Sequence, residues 1–312
     1  MQLSSRFAWQ GRQIAWGRAG DGPPVVLCHG TPFSSLLWQP FADALSRDFT
    51  VHLWDMPGYG RSSKAAEHDV GFGTQSAALA ALLDHWGLDR PHVVAHDFGG
   101  AVSLRTHLVH GVPYSSLMLV DVVALPPVGS AFFRFVQAHP DVLGELPAHI
   151  HAAIVRTYIQ GASARTLDAD TLEALTAPWT GDEGQPAFYR QIAHYDERFL
   201  VEIEGLLGGI DIPVRILWGA ADEWISPAVG ERLRRAIPGA TLSLIDGAGH
   251  LVHHDAPAAL ADELRAWLDG NADGLRGRRA DLPLEWVRSP AAGWVCARSA
   301  DPSCSPSWCP PA

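Results

Sequence analysis

Short, uninterrupted runs of apolar residues alternate with segments of helical periodicity along this chain. The runs are PVVLCHG, TVHLWD, HVVAHD, SLMLVD, VRILWG and TLSLID. Between them, segments such as 75–87 and 257–270 space their apolar residues as an amphipathic helix does. Runs that are apolar throughout are typical of strands buried on both faces, as in a parallel sheet covered by helices. The pattern therefore predicts an α/β fold with a mostly parallel sheet flanked by helices, preceded by a hairpin over 7–20 that turns at Gln10-Gly11.

The alternation is interrupted between 126 and 210. This stretch contains AFFRFVQAHP, IHAAIVRTYIQGA and AFYRQIAHYDERFLVEIEGLL, which are helical in character, and the strand pattern returns at Pro213. We therefore predict a core formed by 1–125 and 211–270, with an inserted helical cap formed by 126–210. Residues 271–312 are rich in Pro, Ser, Arg and Cys without periodicity, so we expect a disordered or extraneous tail there.

Composition limits the partners of the protein. The 312 residues are 47% hydrophobic and 18% charged, which indicates a globular chain with a sizeable core. A net charge of −11 and the lack of a dense basic run argue against nucleic acid or an anionic membrane as partner. The N-terminus lacks the apolar centre of a signal peptide, and the cysteines match no zinc-binding spacing. We expect a cytoplasmic monomer or homodimer without a metal ion or an organic cofactor.

A sharp turn follows the strand run HVVAH. There, Asp97 and Phe98 are followed by two glycines. The small residues Ala95 and Gly99, two positions before and after Asp97, are typical of the nucleophile elbow, a strand–turn–helix that projects one side chain above the sheet edge. A serine usually occupies the central position. An aspartate could also be a simple helix N-cap here, so further residues are needed to decide.

Two other segments that follow strands carry the groups that an elbow nucleophile needs. WGAADEW places Asp222 after one strand, and DGAGHLVHHD places His250 after the last. The order nucleophile, acid, base is that of one class of hydrolases, in which the acid holds the imidazole in the correct tautomer and stabilises its charged form. Glu223 competes with Asp222 for this role. His253 and His254 compete with His250, although the glycine-flanked strand exit fits His250 better.

The segment LCHGTPFSSLLW contains a tight His-Gly turn directly after a strand. Such a turn leaves backbone N–H groups pointing at the site. We predict that the N–H groups of Thr31 and Phe98 form an oxyanion hole. An ordinary strand-to-loop turn is the alternative.

These motifs occur together over residues 1–270, in the order HG-T-P, D-M-P-G-Y-G-R-S, H-D-F-G-G, W-G-A-A-D and G-A-G-H. With them the sequence resembles the α/β-hydrolase superfamily. Within it, the sequence is similar to the aspartate-nucleophile branch, which contains epoxide hydrolases and haloalkane dehalogenases. The resemblance implies an α/β-hydrolase fold with a catalytic triad of Asp97, Asp222 and His250, and a structural role for the D-M-P-G-Y-G-R-S loop.

An aspartate at the elbow changes the predicted reaction. An aspartate side chain is ionised at neutral pH, because its reference pKa is about 3.9. It can displace a leaving group from sp3 carbon and form an alkyl ester on the enzyme. His250 would then activate the water that attacks the ester carbonyl of Asp97. We therefore expect a hydrolase that opens epoxides or removes halides, acting on a small apolar organic substrate.

The two reactions differ in the group that receives the leaving atom. Similar dehalogenases hold the halide with an indole N–H directly after the nucleophile and a second donor such as Asn after the His-Gly turn, where this chain has Phe98 and Thr31. The resemblance thus favours an epoxide hydrolase, whose cap tyrosines protonate the ring oxygen. The resemblance implies two such tyrosines: Tyr189, with Tyr195 as its alternative, and a second one earlier in the cap, for which Tyr158 is the candidate. Because HGTPFSSLLW resembles the dehalogenase form of its loop, a haloalkane dehalogenase stays an alternative.

Other classes of function also stay open at this stage. A cofactor-free oxygenase on this fold would need only His250 and its acid, and a ligand receptor would need only the pocket. An esterase would need a serine at the elbow, where this chain has Asp97. Replacement of Asp97 by Asn separates these functions, because only the predicted hydrolase would lose all turnover.

Overall fold

A computed structural model describes residues 1–272 and the backbone of two short segments, Glu285–Ser289 and Gly293–Ala297. Within residues 1–272, eight strands form one sheet in the order β1-β2-β4-β3-β5-β6-β7-β8. The strands are β1 (Ser5–Trp9), β2 (Arg12–Ala19), β3 (Pro24–Cys28), β4 (Thr50–Trp54), β5 (His92–His96), β6 (Ser116–Val120), β7 (Val214–Gly219) and β8 (Thr241–Ile245). Strand β2 pairs antiparallel with β1 and β4, and all other neighbours are parallel. The predicted fold class, a mostly parallel sheet flanked by helices, is confirmed.

The predicted hairpin at the start of the chain is formed by β1 and β2, with Trp9 opposite Arg12. Gln10 and Gly11 both have positive φ angles, 45° and 74°. Positive φ at both central residues is the geometry of the two-residue turn that matches the twist of the flanking strands.

Helices cover both faces of the sheet and the edge where its parallel strands end. They are α1 (Gln39–Leu45), α2 (Phe72–His85), α3 (Phe98–Leu108), α4 (Ala131–Ala138), α5 (Pro140–Gly144), α6 (Ala148–Gln160), α7 (Ala169–Thr176), α8 (Gly181–Ala193), α9 (Arg198–Glu204), α10 (Pro227–Ala236), α11 (Val252–Asp255) and α12 (Pro257–Asn271). Short 3-10 helices occur at Ser35–Trp38, Ala177–Trp179 and Leu207–Gly209. No helix in this described part is long and apolar enough to cross a membrane.

Successive residues of the central strands pack into two different cores. Val93 and Ala95 of β5 belong to the core that contains α2 and α3, whereas Val94 belongs to the core that contains α1 and α12. All three side chains are fully buried. Because neighbouring side chains of a strand point to opposite faces, burial on both faces requires the uninterrupted apolar runs seen in the sequence.

Between β6 and β7 the chain forms the helices α4–α9, which pack over the carboxyl ends of the strands. Several contacts join this cap to the core. Arg105 of α3 forms an ion pair of 2.6 Å with Glu202 of α9, and the Leu251 N–H donates to the Ala162 carbonyl at 2.9 Å. The cap is therefore held against the edge of the sheet at which the predicted site residues lie.

The tail predicted at 271–312 lies largely outside the described residues. Helix α12 ends at Asn271. The backbone of β9 (Glu285–Ser289) and β10 (Gly293–Ala297) forms an antiparallel pair that the composition did not predict.

Candidate active site

Asp97 lies in the turn between β5 and α3, with φ 49° and ψ −122°. A non-glycine residue with this φ is strained, and such strain concentrates at functional sites. The backbone carbonyl of Asp97 stabilises the turn, because it accepts hydrogen bonds from the N–H groups of Gly100 at 2.9 Å and Val123 at 3.0 Å. The local structure is therefore the elbow that the small residues of the motif predict.

Two glycines allow the β3 loop to approach this elbow. A Cβ atom at Gly99 would lie 2.6 Å from the His29 carbonyl oxygen. A Cβ atom at Gly30 would lie 2.3 Å from Oδ1 of Asp97. Any larger residue at either position would push the loop away from the carboxylate, so both glycines are required by packing at the site.

The approach of the loop brings Thr31 to Asp97. The Thr31 N–H donates to Oδ1 of Asp97 at 2.6 Å. Phe98 is the first residue of α3, where a backbone N–H has no acceptor inside the helix. The loop itself is held by His29, whose Nδ1 lies 3.0 Å from the Gly30 carbonyl and whose Nε2 accepts from the Met56 N–H at 2.9 Å. The Thr31 N–H thus binds one carboxylate oxygen of Asp97, and an oxyanion hole formed by Thr31 and Phe98 stays a prediction.

His250 lies between two carboxylates. Its Nδ1 is 3.0 Å from Oδ2 of Asp222, and its Nε2 is 3.4 Å from Oδ2 of Asp97. The other oxygen of Asp222 accepts from the N–H groups of Trp224 at 2.8 Å and Ile225 at 2.9 Å, which fixes that carboxylate in the loop after β7. The structure therefore brings together the three residues that the sequence singled out.

The two carboxylates control the charge of His250, which is fully buried. Burial by itself lowers the pKa of an imidazole, but Asp222 and Asp97 outweigh it and raise the pKa of His250 well above 6.5. The protonation of His250 consequently depends on whether Asp97 carries a charge.

The competing residues lie elsewhere. Glu223 is exposed. His253 is buried against Trp38, with ring centroids 4.3 Å apart, and burial lowers its pKa well below 6.5. His254 follows it in α11. In the described part of the chain, no group of three or more His, Cys, Asp or Glu side chains could hold a metal ion.

An aromatic stack forms one wall of the site. The Tyr158 ring lies 4.4 Å from the Trp224 ring, which in turn lies 5.1 Å from the His250 ring. Within the described residues the Tyr158 hydroxyl makes no hydrogen bond. Burial and the negative charge of Asp97 raise the pKa of Tyr158. This phenol therefore keeps its proton at neutral pH and has it available for a bound molecule.

The first cap candidate, Tyr189, has a different environment. Its hydroxyl lies 2.9 Å from Nδ1 of His151, whose Nε2 contacts the Trp179 carbonyl at 2.6 Å. Tyr189 and Gln191 are about 200° apart around α8, and it is Gln191 that contacts Thr31. Tyr158 thus stacks on Trp224 beside the triad, while the Tyr189 hydroxyl is bound within the cap, and the role of either tyrosine as a cap acid stays a prediction.

Two polar side chains at the site were not singled out in the sequence. Tyr59 belongs to the D-M-P-G-Y-G-R-S loop, for which only a structural role was expected. Its hydroxyl lies 3.0 Å from Oε1 of Gln191 and 3.4 Å from Oγ1 of Thr31. The Thr31 hydroxyl also donates to Oε1 of Gln191. Nothing in the local sequence marks Gln191, because its contact with Thr31 joins the cap to a loop of the core.

The triad is closed off from solvent in this conformation. A cleft of about 560 Å³ lies near the start of α2, lined by residues that include Asp69, His194, Tyr195 and Phe199. No triad residue lines this cleft, and each is at most 6% exposed.

Comparison with known proteins identifies the family to which this fold and site belong. Residues 23–257 match the family model described as alpha/beta hydrolase fold, and the chain belongs to that family of hydrolases. A solved alpha/beta hydrolase fold protein from Burkholderia ambifaria is 44% identical, with a TM-score of 0.83, and the match covers 85% of this chain and 97% of that chain.

Two further similar proteins carry more specific names. Haloalkane dehalogenase 2 of Mycobacterium tuberculosis is 26% identical over 266 residues, which cover 78% of this chain and 86% of the relative. The solved epoxide hydrolase CorEH is 18% identical with a TM-score of 0.75, covering 85% of this chain and 98% of its own. At 18% identity the likeness to CorEH is one of fold alone.

Proposed function

We propose that the protein is a hydrolase that forms an alkyl ester on Asp97 and that its substrates are epoxides. The observation that carries the proposal is the asymmetry of the Asp97 carboxylate. Its Oδ1 accepts a hydrogen bond from the Thr31 N–H, whereas its Oδ2 faces His250 and accepts from no backbone N–H of the described residues. One oxygen is thus held as a future carbonyl, and the other is left to act as the nucleophile.

In the first half-reaction, Oδ2 of Asp97 attacks a ring carbon of the epoxide and forms a C–O bond. The ring C–O bond breaks, and its electron pair stays on the ring oxygen. The Tyr158 hydroxyl supplies the proton that this oxygen takes up. The position of Tyr158 supports this role, because its ring stacks on Trp224, which in turn stacks on His250, and a phenol carries its proton at neutral pH.

In the second half-reaction, water attacks the ester carbonyl of Asp97 while His250 accepts its proton. The negative charge develops on Oδ1, where the Thr31 N–H already donates at 2.6 Å. Collapse of the intermediate breaks the Cγ–Oδ2 bond, and His250 returns the proton to the departing alcohol. The regenerated carboxyl group ionises, and its proton returns to His250, which is charged in the free enzyme.

The coupling between Asp97 and His250 suits this sequence of steps. In the free enzyme, two carboxylates raise the pKa of His250 and favour its charged form. Alkylation removes the charge of Asp97, and Asp222 alone then supports the imidazolium. The pKa of His250 therefore falls once the ester has formed, and the imidazolium passes its proton to the Tyr158 oxygen, which restores that hydroxyl and leaves His250 as the neutral base.

The lining of the site supports a small apolar organic substrate. The Phe33 ring lies 6.1 Å from the Trp224 ring and 6.5 Å from the His250 ring. On the other side, Phe98 packs against Phe133 at 6.4 Å. Aromatic rings on both sides of the triad favour a molecule that carries little charge.

Hydrolysis of a carbon–halogen bond is the second candidate function. The similarity to haloalkane dehalogenase 2 favours it, and the same ester on Asp97 would form. Phe98 argues against it, because this side chain has no N–H group to hold a halide ion. The unbonded Tyr158 hydroxyl argues for the epoxide, which needs a proton when its ring opens.

Intact-protein mass spectrometry on the His250→Ala variant tests the proposal. Without its base the variant should accumulate the ester. Styrene oxide or cyclohexene oxide should add its whole mass at Asp97, whereas bromocyclohexane would add its alkyl group without bromine. The Asp97→Asn/His250→Ala double variant is the control and should gain no mass. A gain with the bromide alone would establish the second candidate, and no gain at Asp97 with any probe would refute ester formation.

A further inference from the structure

A buried polar cluster lies beside Asp97 and is not used in the steps above. It consists of the Thr31 hydroxyl, the Tyr59 hydroxyl and the Gln191 amide. Gln191 comes from α8 in the cap, whereas the other two residues belong to loops of the core. All three are nearly inaccessible to solvent, with Gln191 only 2% exposed.

The hydrogen bonds of this cluster are unevenly distributed over the Gln191 amide. Oε1 accepts from both hydroxyl groups, of Thr31 and of Tyr59. Nε2 is buried and has no acceptor among the described residues. A side-chain amide carries two N–H donors, and buried donors without an acceptor are rare because they have lost their water. An amide whose oxygen is fixed while its nitrogen stays unpaired is oriented to donate to another molecule.

The contacts of Thr31 place the Gln191 amide close to the Asp97 carboxylate. Thr31 binds Oε1 of Gln191 through its hydroxyl and Oδ1 of Asp97 through its backbone N–H. Burial, with a smaller effect of the Asp97 charge, raises the pKa of Tyr59 above its ordinary value, as it does for Tyr158. Thr31 therefore links the Gln191 amide of the cap directly to the nucleophile.

We propose that Nε2 of Gln191 donates a hydrogen bond to the ring oxygen of the epoxide as the ring opens. This inference rests on the proposed function. The ring oxygen is the acceptor that gains negative charge in the first half-reaction, and the carboxylate oxygens of Asp97 already face Thr31 and His250. Gln191 is then the hydrogen-bond donor and Tyr158 the proton donor for the same oxygen.

The proposal separates the two half-reactions. A donor to the ring oxygen assists formation of the ester but not its hydrolysis, because the ring oxygen has become an ordinary hydroxyl group by then. Loss of one hydrogen bond to a developing charge should slow ester formation about tenfold to hundredfold. Hydrolysis of an ester that has already formed should change less than threefold, since no bond to that oxygen changes in this step.

The test measures the rate at which the ester appears on Asp97 in the His250→Ala background, with styrene oxide and cyclohexene oxide as probes. Gln191→Leu removes the amide. Gln191→Glu keeps the shape of the side chain and can still accept hydrogen bonds from the two hydroxyl groups. It lacks the N–H donors, and it adds a negative charge near the ring oxygen. We expect both to slow ester formation, and the Glu variant at least as strongly as the Leu variant. If Gln191 only filled space, the Leu variant, which has a similar size and no charge, would form the ester at the parent rate.

Gln185 provides a matched control on the same helix. It is also buried, but its Nε2 donates to the Gly144 and Leu146 carbonyls within the cap. Gln185→Leu disturbs the packing of α8 without touching the site, so its ester should form at the parent rate. Equal rates for the Gln191 variants and the parent would overturn this inference alone. Absence of the ester in the His250→Ala parent would overturn the proposed function and, with it, this inference.

Discussion

Nε2 of His250 lies 3.4 Å from Oδ2 of Asp97, the carboxylate oxygen that Thr31 does not bind. The base and the nucleophile are therefore electrostatic partners before any substrate arrives. An aspartate differs in this respect from a neutral serine, which would not support a charged imidazole. The charge of His250 in this site is set by the chemical state of Asp97.

Replacement of Asp97 by Asn should consequently lower the pKa of His250. The amide has the size of the carboxylate but no charge, so it removes one of the two groups that hold the pKa of His250 well above 6.5. An NMR titration of the histidine ring protons measures this change, and the signals of the other histidines serve as internal references. An unchanged pKa for His250 would mean that Asp222 alone sets it.

The Asp222→Asn variant should separate the half-reactions. The ester should still form, because Asp97 itself is intact. Its hydrolysis should slow by about 10²- to 10⁴-fold, since His250 loses the group that orients Nδ1 and supports its charge. Rapid-quench mass spectrometry would then find the ester accumulating during turnover of styrene oxide. Glu223→Gln changes the exposed neighbour and should behave as the wild type. Equal impairment of the two variants would argue against Asp222 as the acid.

Tyr158→Phe should mainly lower the rate of ring opening, whereas Tyr189→Phe should mainly lower the stability of the fold. Removal of the Tyr158 hydroxyl should slow ring opening by about 10²- to 10⁴-fold, because it removes the proposed proton donor. Removal of the Tyr189 hydroxyl takes a partner from His151 and should cost about 1 kcal/mol of stability with little change in rate. Single-turnover kinetics and thermal unfolding distinguish these effects. A loss of rate for Tyr189→Phe but not for Tyr158→Phe would contradict the role proposed for Tyr158.

The buried His52 should make stability depend on pH. Burial, with a smaller effect of Arg18, lowers the pKa of His52 to about 4, against about 6.5 in the unfolded chain. Below pH 6.5 the unfolded chain binds the proton and the folded one does not, so stability falls as the pH falls towards 4. For this group alone the loss by pH 5 is about 2 kcal/mol.

His52→Phe keeps a ring against Trp86, which lies 4.8 Å from the His52 ring, and removes the titrating group. Urea unfolding at pH 7 and at pH 5 measures the free energy of unfolding of both proteins. The variant should lose less stability between these values than the wild type does. An identical loss in both would show that His52 is not the group responsible.

The residues that sequence analysis located are those whose positions follow from the fold. Asp97, Asp222 and His250 each follow the end of a parallel strand, and such ends meet at one edge of a sheet. Their meeting is therefore implied once the apolar runs are recognised as strands. The continuous apolar runs could be recognised in the sequence because the strands are buried on both faces of the sheet, as Val93, Val94 and Ala95 of β5 are.

The cap residues could not be located in the same way. Whether Tyr158, Tyr189 or Gln191 faces the triad depends on the rotation of each helix about its axis, and that rotation is fixed by packing between distant segments. Gln191 contacts Thr31 across 160 positions of the chain. The motif of its loop predicts only a structural role for Tyr59. The contact between its hydroxyl and Gln191 is formed by the tertiary structure.

Ester formation on Asp97 is tested most directly by turnover of styrene oxide in water enriched in the heavy isotope of oxygen. Attack of water on the ester carbonyl should leave the label in the Asp97 carboxylate, and the diol from the first turnover should carry unlabelled oxygen taken from the enzyme. Peptide mass spectrometry locates the label. If the label entered the diol in the first turnover and Asp97 stayed unlabelled, water would have attacked the epoxide itself and no ester would lie on the pathway.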